Sequence, residues 1–191
     1  MNPHQSFEQQ WWGTCANTYG EETKQLTYAH RMGLRIAPDN GHWPVYDLER
    51  QSVLDLGGGP VSILLKTKRL TGIVVDPCAY PRWVSERYAA AGILYFQEPA
   101  ETFATTATFD ECWIYNVLQH VVDPAKIIEV ARRYACLLRI FEWIDMPPHL
   151  GHPHMLTEPQ LNEWVGAKGR TEQMNENGCV GRAWYGAFST R

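Results

Sequence analysis

Ser52-Val53-Leu54-Asp55-Leu56-Gly57-Gly58-Gly59-Pro60 decides the fold. Val53, Leu54 and Leu56 form a short apolar run without alternation, the pattern of a strand covered on both faces of a parallel sheet. Gly57 to Gly59 then remove the side chains in succession, as a backbone requires where it turns sharply and lies against a ligand. Pro60 has its φ preset for the first turn of a helix, where its missing N–H costs little. Strand, glycine turn and helix in that order cradle a nucleotide-like ligand at the edge of an open α/β sheet.

Downstream the pattern repeats. Thr71–Asp76 reads as a second buried strand ending in an acid, Ile93–Phe96 as a third, Cys112–Tyr115 as a fourth and Cys136–Trp143 as a fifth. A helix is expected through Val61, Ile63, Leu64 and Leu65, with Lys66-Thr67-Lys68-Arg69 as its solvated C-terminal end. Pro81 opens the next helix, with Trp83, Val84, Tyr88 and Ala91 on its inner face and Gly92 at its close. Asp123-Pro124 is an N-cap with proline at the first helical position; Ile127, Ile128 and Ala131 face inward, and Glu129 pairs with Arg133 outside. Thr157-Glu158-Pro159-Gln160 has capping-box spacing and opens a helix with Leu161, Trp164 and Val165 inward. Two last strands, about 170–175 and 183–190, flank Asn175-Glu176-Asn177-Gly178 and form a hairpin. Strands alternating with helices make a mostly parallel doubly wound sheet, here seven-stranded with an antiparallel C-terminal hairpin.

Upstream, residues 1–50 read as a helical cap on a core of residues 51–191, the two forming one domain. Ser6 starts a helix carrying Trp11 and Trp12, and a second spans about 19–32, stopped by Gly33. The stretch 35–48, with Pro38, Gly41 and Pro44, reads as an irregular connection.

The totals narrow the function. With 17 basic against 21 acidic side chains, the net charge is −4, so nucleic acid is not an expected partner. Five scattered cysteines without a Cys-x-x-Cys pair argue against a disulfide framework or zinc ribbon, and fit a reducing, cytoplasmic compartment. No apolar run approaches the ~20 residues of a membrane span, and no signal pattern opens the chain.

Ligands of such sheets bind beyond the carboxyl ends of the strands. Asp76 stands 21 positions after Asp55, the spacing at which a carboxylate accepts from ribose hydroxyls. Gln97 and Glu98 follow the third strand, and Asn116, Val117, Gln119 and His120 the fourth.

In these segments the chain resembles the class I S-adenosylmethionine-dependent methyltransferases. The resemblance is carried by Val53–Pro60, Gly72–Pro77, Phe109–Pro124 and Gly151–His154, over residues 52–165. The stretch Asn116-Val117-Leu118-Gln119-His120-Val121-Val122-Asp123-Pro124 looks most like the small-molecule branch. The resemblance implies a Rossmann-like α/β fold, the cofactor S-adenosyl-L-methionine and a small-molecule methyl acceptor. It places Gly57, Gly58 and Gly59 at the methionine end of the cofactor, with Asp55 at the start of that loop. Asp76 falls on the ribose with Pro77 beside it, Gln97 and Glu98 near the adenine edge, and Asn116 with Val117 beside the methionine. Val61 departs from the pattern, standing where many relatives have another glycine.

Transfer from a sulfonium is an in-line displacement, and a base is needed only for a protonated acceptor of high pKa. His120, His152 and His154 are the candidate bases. Trp11, Trp12, Tyr19 and Trp43 in the cap, and Trp143 past the fifth strand, are candidates to wall the acceptor pocket. No metal is expected: His149, His152 and His154 lie on a Pro/Gly-rich loop without a cysteine or acid cluster. A dinucleotide oxidoreductase is disfavoured, because the loop lacks Gly-x-Gly-x-x-Gly spacing. A nucleic-acid base methyltransferase is disfavoured too, because Val117 and Leu118 follow Asn116 in place of a Pro-Pro-aromatic turn. A non-catalytic cofactor-binding protein, or a methyltransferase of RNA or protein, are the alternatives.

Overall fold

The computed structural model describes residues 3–37, 45–49, 51–68 and 71–191. Trp43, with the rest of residues 38–44 of the 35–48 connection, and Arg69 lie outside them. The helices are α1 (Pro3–Trp12), α2 (Thr18–Arg31), α3 (Arg82–Ala90), α4 (Pro124–Tyr134) and α5 (Glu158–Val165). The strands are β1 (Tyr46–Asp47), β2 (Ser52–Leu56), β3 (Thr67–Lys68), β4 (Thr71–Val75), β5 (Ile93–Phe96), β6 (Phe109–Tyr115), β7 (Ala135–Ile144), β8 (Arg170–Glu176) and β9 (Cys179–Ser189).

Seven strands form one sheet in the order β5-β4-β2-β6-β7-β9-β8, parallel from β5 to β7 and closed by the antiparallel pair β9 and β8. The strand order reverses between β2 and β6, so the turns after them flank the crevice where such sheets bind ligands. One face packs Leu54, Ile114, Leu138 and Trp184 against Ile127, Ile128 and Leu161 of α4 and α5. On the other, Val53, Trp113 and Phe141 meet Tyr28 and Ala29 of α2 and Val84 and Tyr88 of α3. Two apolar faces, each covered by helices, account for the loss of alternation in β2.

Start signals hold where capping chemistry sets them. Asp123 accepts from the Lys126 N–H at 3.0 Å, with Pro124 beginning α4. Thr157 and Gln160 close the capping box of α5, and Gly166 ends it at φ +74°.

Three local expectations fail. The helix over 61–65 is replaced by two 3₁₀ turns, Gly59–Val61 and Ile63–Lys66. Ser62 breaks the path between them: its backbone is extended, its N–H donates to the Tyr88 hydroxyl at 2.9 Å, and its own hydroxyl goes to Asp55. Lys66 ends the second 3₁₀ turn, and Thr67–Lys68, expected as a solvated helix end, pairs instead with Tyr46–Asp47 in a small parallel sheet. Trp83, expected inward, is 39% exposed, since only Val84 and Tyr88 of α3 reach the core. No described helix is long and apolar enough to cross a membrane.

Candidate functional site

The turn after β2 is built around a buried acid. Asp55 Oδ2 accepts from the hydroxyls of Ser62 and, at 2.6 Å, Tyr115, while Oδ1 is buried without a partner. Burial pushes the Asp55 carboxyl up to about 7, against the pull of those two hydroxyls. The acid therefore ties β2 to β6 beneath the glycine loop and does not line the cavity above it. Gly58 is required by this packing, because a Cβ there would lie 2.6 Å from Asp55 Oδ2. Gly57 has φ +80°, and a Cβ on it would meet Val117 at 2.5 Å. Gly59, at φ +63°, is less crowded: a built Cβ would make ordinary contacts, 3.8 Å from the Trp12 ring and 3.9 Å from the Tyr80 hydroxyl.

An acid that prefers to stay protonated in the fold loses stability as pH rises from its unfolded pKa to its folded one. Glu142, a buried residue of β7, behaves in the same way: burial pushes it up to about 7 although it accepts from the Val117 and Leu118 N–H groups. His152, pushed down to about 4, acts in the opposite sense, but its window closes near the ordinary histidine value of about 6.5. The two carboxyls thus cost stability from about pH 4 up to about pH 7, opposed by His152 until about pH 6.5, so the net fall in thermal stability expected between pH 6 and pH 8 lies mostly below about pH 7. Asp55→Asn should flatten part of that slope and raise the melting temperature at pH 8; ionising a carboxyl moved from about 4 to about 7 costs on the order of 4 kcal/mol. Scanning calorimetry at the two pH values checks this, and an unchanged slope in the variant would show that Asp55 ionises freely.

At the end of β4 the Asp76 carboxylate is buried and accepts from Gly59 N–H (3.1 Å), Cys78 N–H (2.9 Å) and the Tyr80 hydroxyl (3.0 Å). It thereby fixes the glycine turn of β2 from the neighbouring strand. Burial raises its pKa, opposed by these donors. Asn116, past β6, sits at φ +58°, a left-handed conformation that asparagine tolerates better than most residues. Its N–H donates to the Phe141 carbonyl at 2.8 Å and its Oδ1 accepts from Gln119 at 2.9 Å.

Histidines gather on the far side of the turn. Nδ1 of His120 lies 2.9 Å from Glu8 of α1 and 2.8 Å from the Gly151 carbonyl, both acceptors, so it carries the ring proton. Burial opposes charge on His120, yet Glu8, Glu142 and the Gly151 carbonyl together raise its pKa above the usual histidine value. The rings of His120 and His152 meet edge to face at 4.4 Å, and His149 lies 4.2 Å beyond. Burial first, then the two neighbouring imidazoles, keeps His152 neutral near physiological pH.

These groups surround a cavity of about 450 Å³, within the roughly 300–1,000 Å³ range of small-molecule sites. Of the residues singled out in the sequence, Gly57, Gly58, Gly59, Asp76, Pro77, Asn116, Val117, His120, His152, Trp11, Trp12 and Trp143 line it. Asp55, Gln97, Glu98, His154 and Tyr19 do not. Gln97 is exposed beyond the edge strand β5, and Glu101 of the following 3₁₀ turn reaches the cavity instead. His154 turns away, its Nε2 2.8 Å from the Val121 carbonyl. Tyr19 is 69% exposed on α2, whose buried side carries Tyr28.

Sequence reasoning missed Glu8, Tyr28 and Tyr80. Tyr80, four residues past Asp76, had a readable signal in its spacing; Glu8 and Tyr28 had none. Helix α1, without a buried residue of its own, supplies Phe7, Glu8, Trp11 and Trp12 to the cavity. Phe7 packs on Gly151 so closely that a Cβ there would lie 2.5 Å from its ring.

No protein-family model matches the sequence, and no curated protein matches it. Solved structures do match. A chain of the complex containing the Haloferax volcanii Trm112 methyltransferase activator superposes at TM-score 0.64 with 12% identity, over 96% of this chain and 97% of that one. The N-methyltransferase NodS from Bradyrhizobium japonicum matches at TM-score 0.58 and 13% identity, covering 88% of this chain and 94% of its own. The Burkholderia thailandensis 1,6-didemethyltoxoflavin-N1-methyltransferase, solved with its substrate and S-adenosylhomocysteine, matches at 0.57 and 16%, over 73% and 70%. The likeness is one of fold: the chain has the Rossmann-like, seven-stranded α/β architecture of the class I methyltransferases.

Proposed function

We propose that the protein is an S-adenosylmethionine-dependent methyltransferase acting on a small molecule. The observation that carries this reading is the joining of Asp76 to the Gly57–Gly59 turn at the switch point of the sheet, opening on a single cavity with Asn116. The residues fit the cofactor. A carboxylate has about four lone-pair sites, and Asp76 uses three within the protein, leaving one for a ribose hydroxyl. Gly59 lines the cavity without a side chain, so the backbone of the turn faces the occupant. Bound there, S-adenosylmethionine supplies a methyl group already activated on its sulfonium.

The chain's residues then bind, orient and exclude water. Asp76 and the glycine turn set the depth of the cofactor. Trp11 and Trp12 of α1 and Trp143 near the C-terminal end of β7 wall the acceptor side, so residues 1–50 serve as a lid on a core of residues 51–191. His120 is the base for an acceptor that arrives protonated: Glu8 holds its Nδ1 proton, which leaves the Nε2 lone pair to accept. Glu8 is a positioning residue in this scheme. All five cysteines are free, which supports a reducing, cytoplasmic setting, and the net charge of −4 supports a small acceptor over nucleic acid.

Incubation with S-adenosylmethionine and fractions of small metabolites, RNA and protein tests the reading, with S-adenosylhomocysteine as the measured product. Turnover with the small-molecule fraction is expected, and turnover with RNA or protein alone would replace the acceptor class. His120→Ala should keep affinity for S-adenosylhomocysteine within about threefold and slow turnover by roughly 100-fold. An equal loss of binding would make His120 structural.

A further inference from the structure

We propose that Glu8, His120 and His152 form a binding site for a divalent transition-metal ion of the zinc type. The sequence places them on three separate segments, α1, the turn after β6 and the loop before α5, so no spacing announces them. The fold brings one oxygen or nitrogen of each within 4.8 Å of the others. Ion–ligand bonds of about 2.0–2.2 Å in a tetrahedron set ligand atoms about 3.4 Å apart. Glu8 and His120 already lie 2.9 Å from each other, so small side-chain rotations complete the set.

Nδ1 of His152 is the independent observation. It is removed from solvent and has no hydrogen-bond partner in the structure. A buried polar atom is normally paired, and one left alone among ligand groups has the lone pair a cation needs. The ion would replace the proton that His120 now shares between Glu8 and the Gly151 carbonyl. Two imidazoles and one carboxylate suit zinc, cobalt or iron(II) and not magnesium or calcium, which take oxygen ligands.

All three residues line the cavity, so a fourth position stays open toward an occupant, as in catalytic zinc sites. The site also spans the lid: α1 buries no residue of its own, and an ion between Glu8 and the two histidines would fasten it to the core. On the methyltransferase reading, an ion on Nδ1 leaves the His120 proton on Nε2, so in the metal-loaded protein the ion, in place of His120 as base, would lower the pKa of an acceptor hydroxyl at the open position. Metal binding itself needs neither cofactor nor acceptor, so the two readings fail separately.

The test is titration of tag-free, chelator-stripped protein with Co²⁺, read by its visible absorption, and competition with Zn²⁺. One equivalent of Co²⁺ with tetrahedral bands, displaced by Zn²⁺, is expected. Glu8→Gln and His152→Ala should each weaken binding at least about 100-fold, beyond the 10–100-fold typical of residues that only support ligands. His30→Ala, which removes an exposed histidine outside the cluster, should bind like the wild type. Because no residue of α1 is fully buried and Glu8 lies outside the apolar core, Glu8→Gln is expected to keep the fold, and circular dichroism verifies it. Failure of the wild type to take up one equivalent, or wild-type affinity in Glu8→Gln and His152→Ala, overturns the proposal.

Discussion

Replacing Asp76 by alanine is expected to weaken S-adenosylhomocysteine binding by at least about 100-fold. Hydrogen bonds to a charged group contribute roughly 1.5–3 kcal/mol each, and about 1.4 kcal/mol is tenfold in affinity. Losing the ribose contact alone gives about a tenfold to 100-fold effect. The remainder comes from the turn: Gly59 N–H, Cys78 N–H and the Tyr80 hydroxyl all lose their acceptor, so the loop that shapes the cavity is released. Tyr80→Phe separates the two contributions. It removes one internal donor, leaves the carboxylate and the Gly59 bond in place, and should change affinity only a few-fold. Calorimetric titration of both variants, alongside their melting curves, checks the pair. Unchanged affinity in Asp76→Ala would mean that neither the carboxylate nor the turn it fixes takes part in binding the cofactor.

Gly57→Ala carries the largest expected loss of stability. The backbone has φ +80°, which costs an L-residue roughly 1–2 kcal/mol, and the new Cβ would sit 2.5 Å from a methyl of Val117. Overpacking of this kind adds about 1–3 kcal/mol. For a chain of this size each kcal/mol lowers the melting temperature by roughly 2–4 °C, so a fall of about 5–15 °C is expected. Adding Val117→Ala should recover the steric part and leave the backbone part. Gly59→Ala is the contrasting case: its φ is +63°, but a built Cβ meets nothing closer than 3.8 Å, so stability should fall less while the new methyl intrudes on the proposed cradle. A melting temperature within 2 °C of wild type in Gly57→Ala would contradict the close approach of the two turns.

The sheet was legible because its signals are local. Buried strands such as Ser52–Leu56 and Thr71–Val75 show as apolar runs, and α4 and α5 announce themselves through Asp123-Pro124 and the Thr157–Gln160 capping box. What failed depended on distant partners. The expected helix after Pro60 gives way because Ser62 finds Asp55 and Tyr88, seven and 26 residues away. Trp83 reads as apolar and inward on the helix period, but only one narrow stripe of α3 reaches the core.

The site divides along the same line. Gly57–Gly59, Asp76 and Asn116 could be read because each follows a strand, and the fold sends every such turn to one end of the sheet. Gln97, Glu98, His154 and Tyr19 were read by the same rule or by proximity to a motif, and side-chain direction takes them away from the cavity. Glu8 was invisible for the opposite reason: nothing in α1 marks it, and contacts distant in sequence, such as Phe7 on Gly151 and His4 on the Leu150 carbonyl, set it beside His120.

Isothermal titration of the wild-type protein with S-adenosylhomocysteine, run beside NADH, tests the central claim most directly. Saturable binding of S-adenosylhomocysteine at one site per chain, with no binding of the dinucleotide, is the predicted result. Binding of NADH without binding of either S-adenosylhomocysteine or S-adenosylmethionine would contradict the assignment of the Asp76–glycine cradle to a sulfonium cofactor.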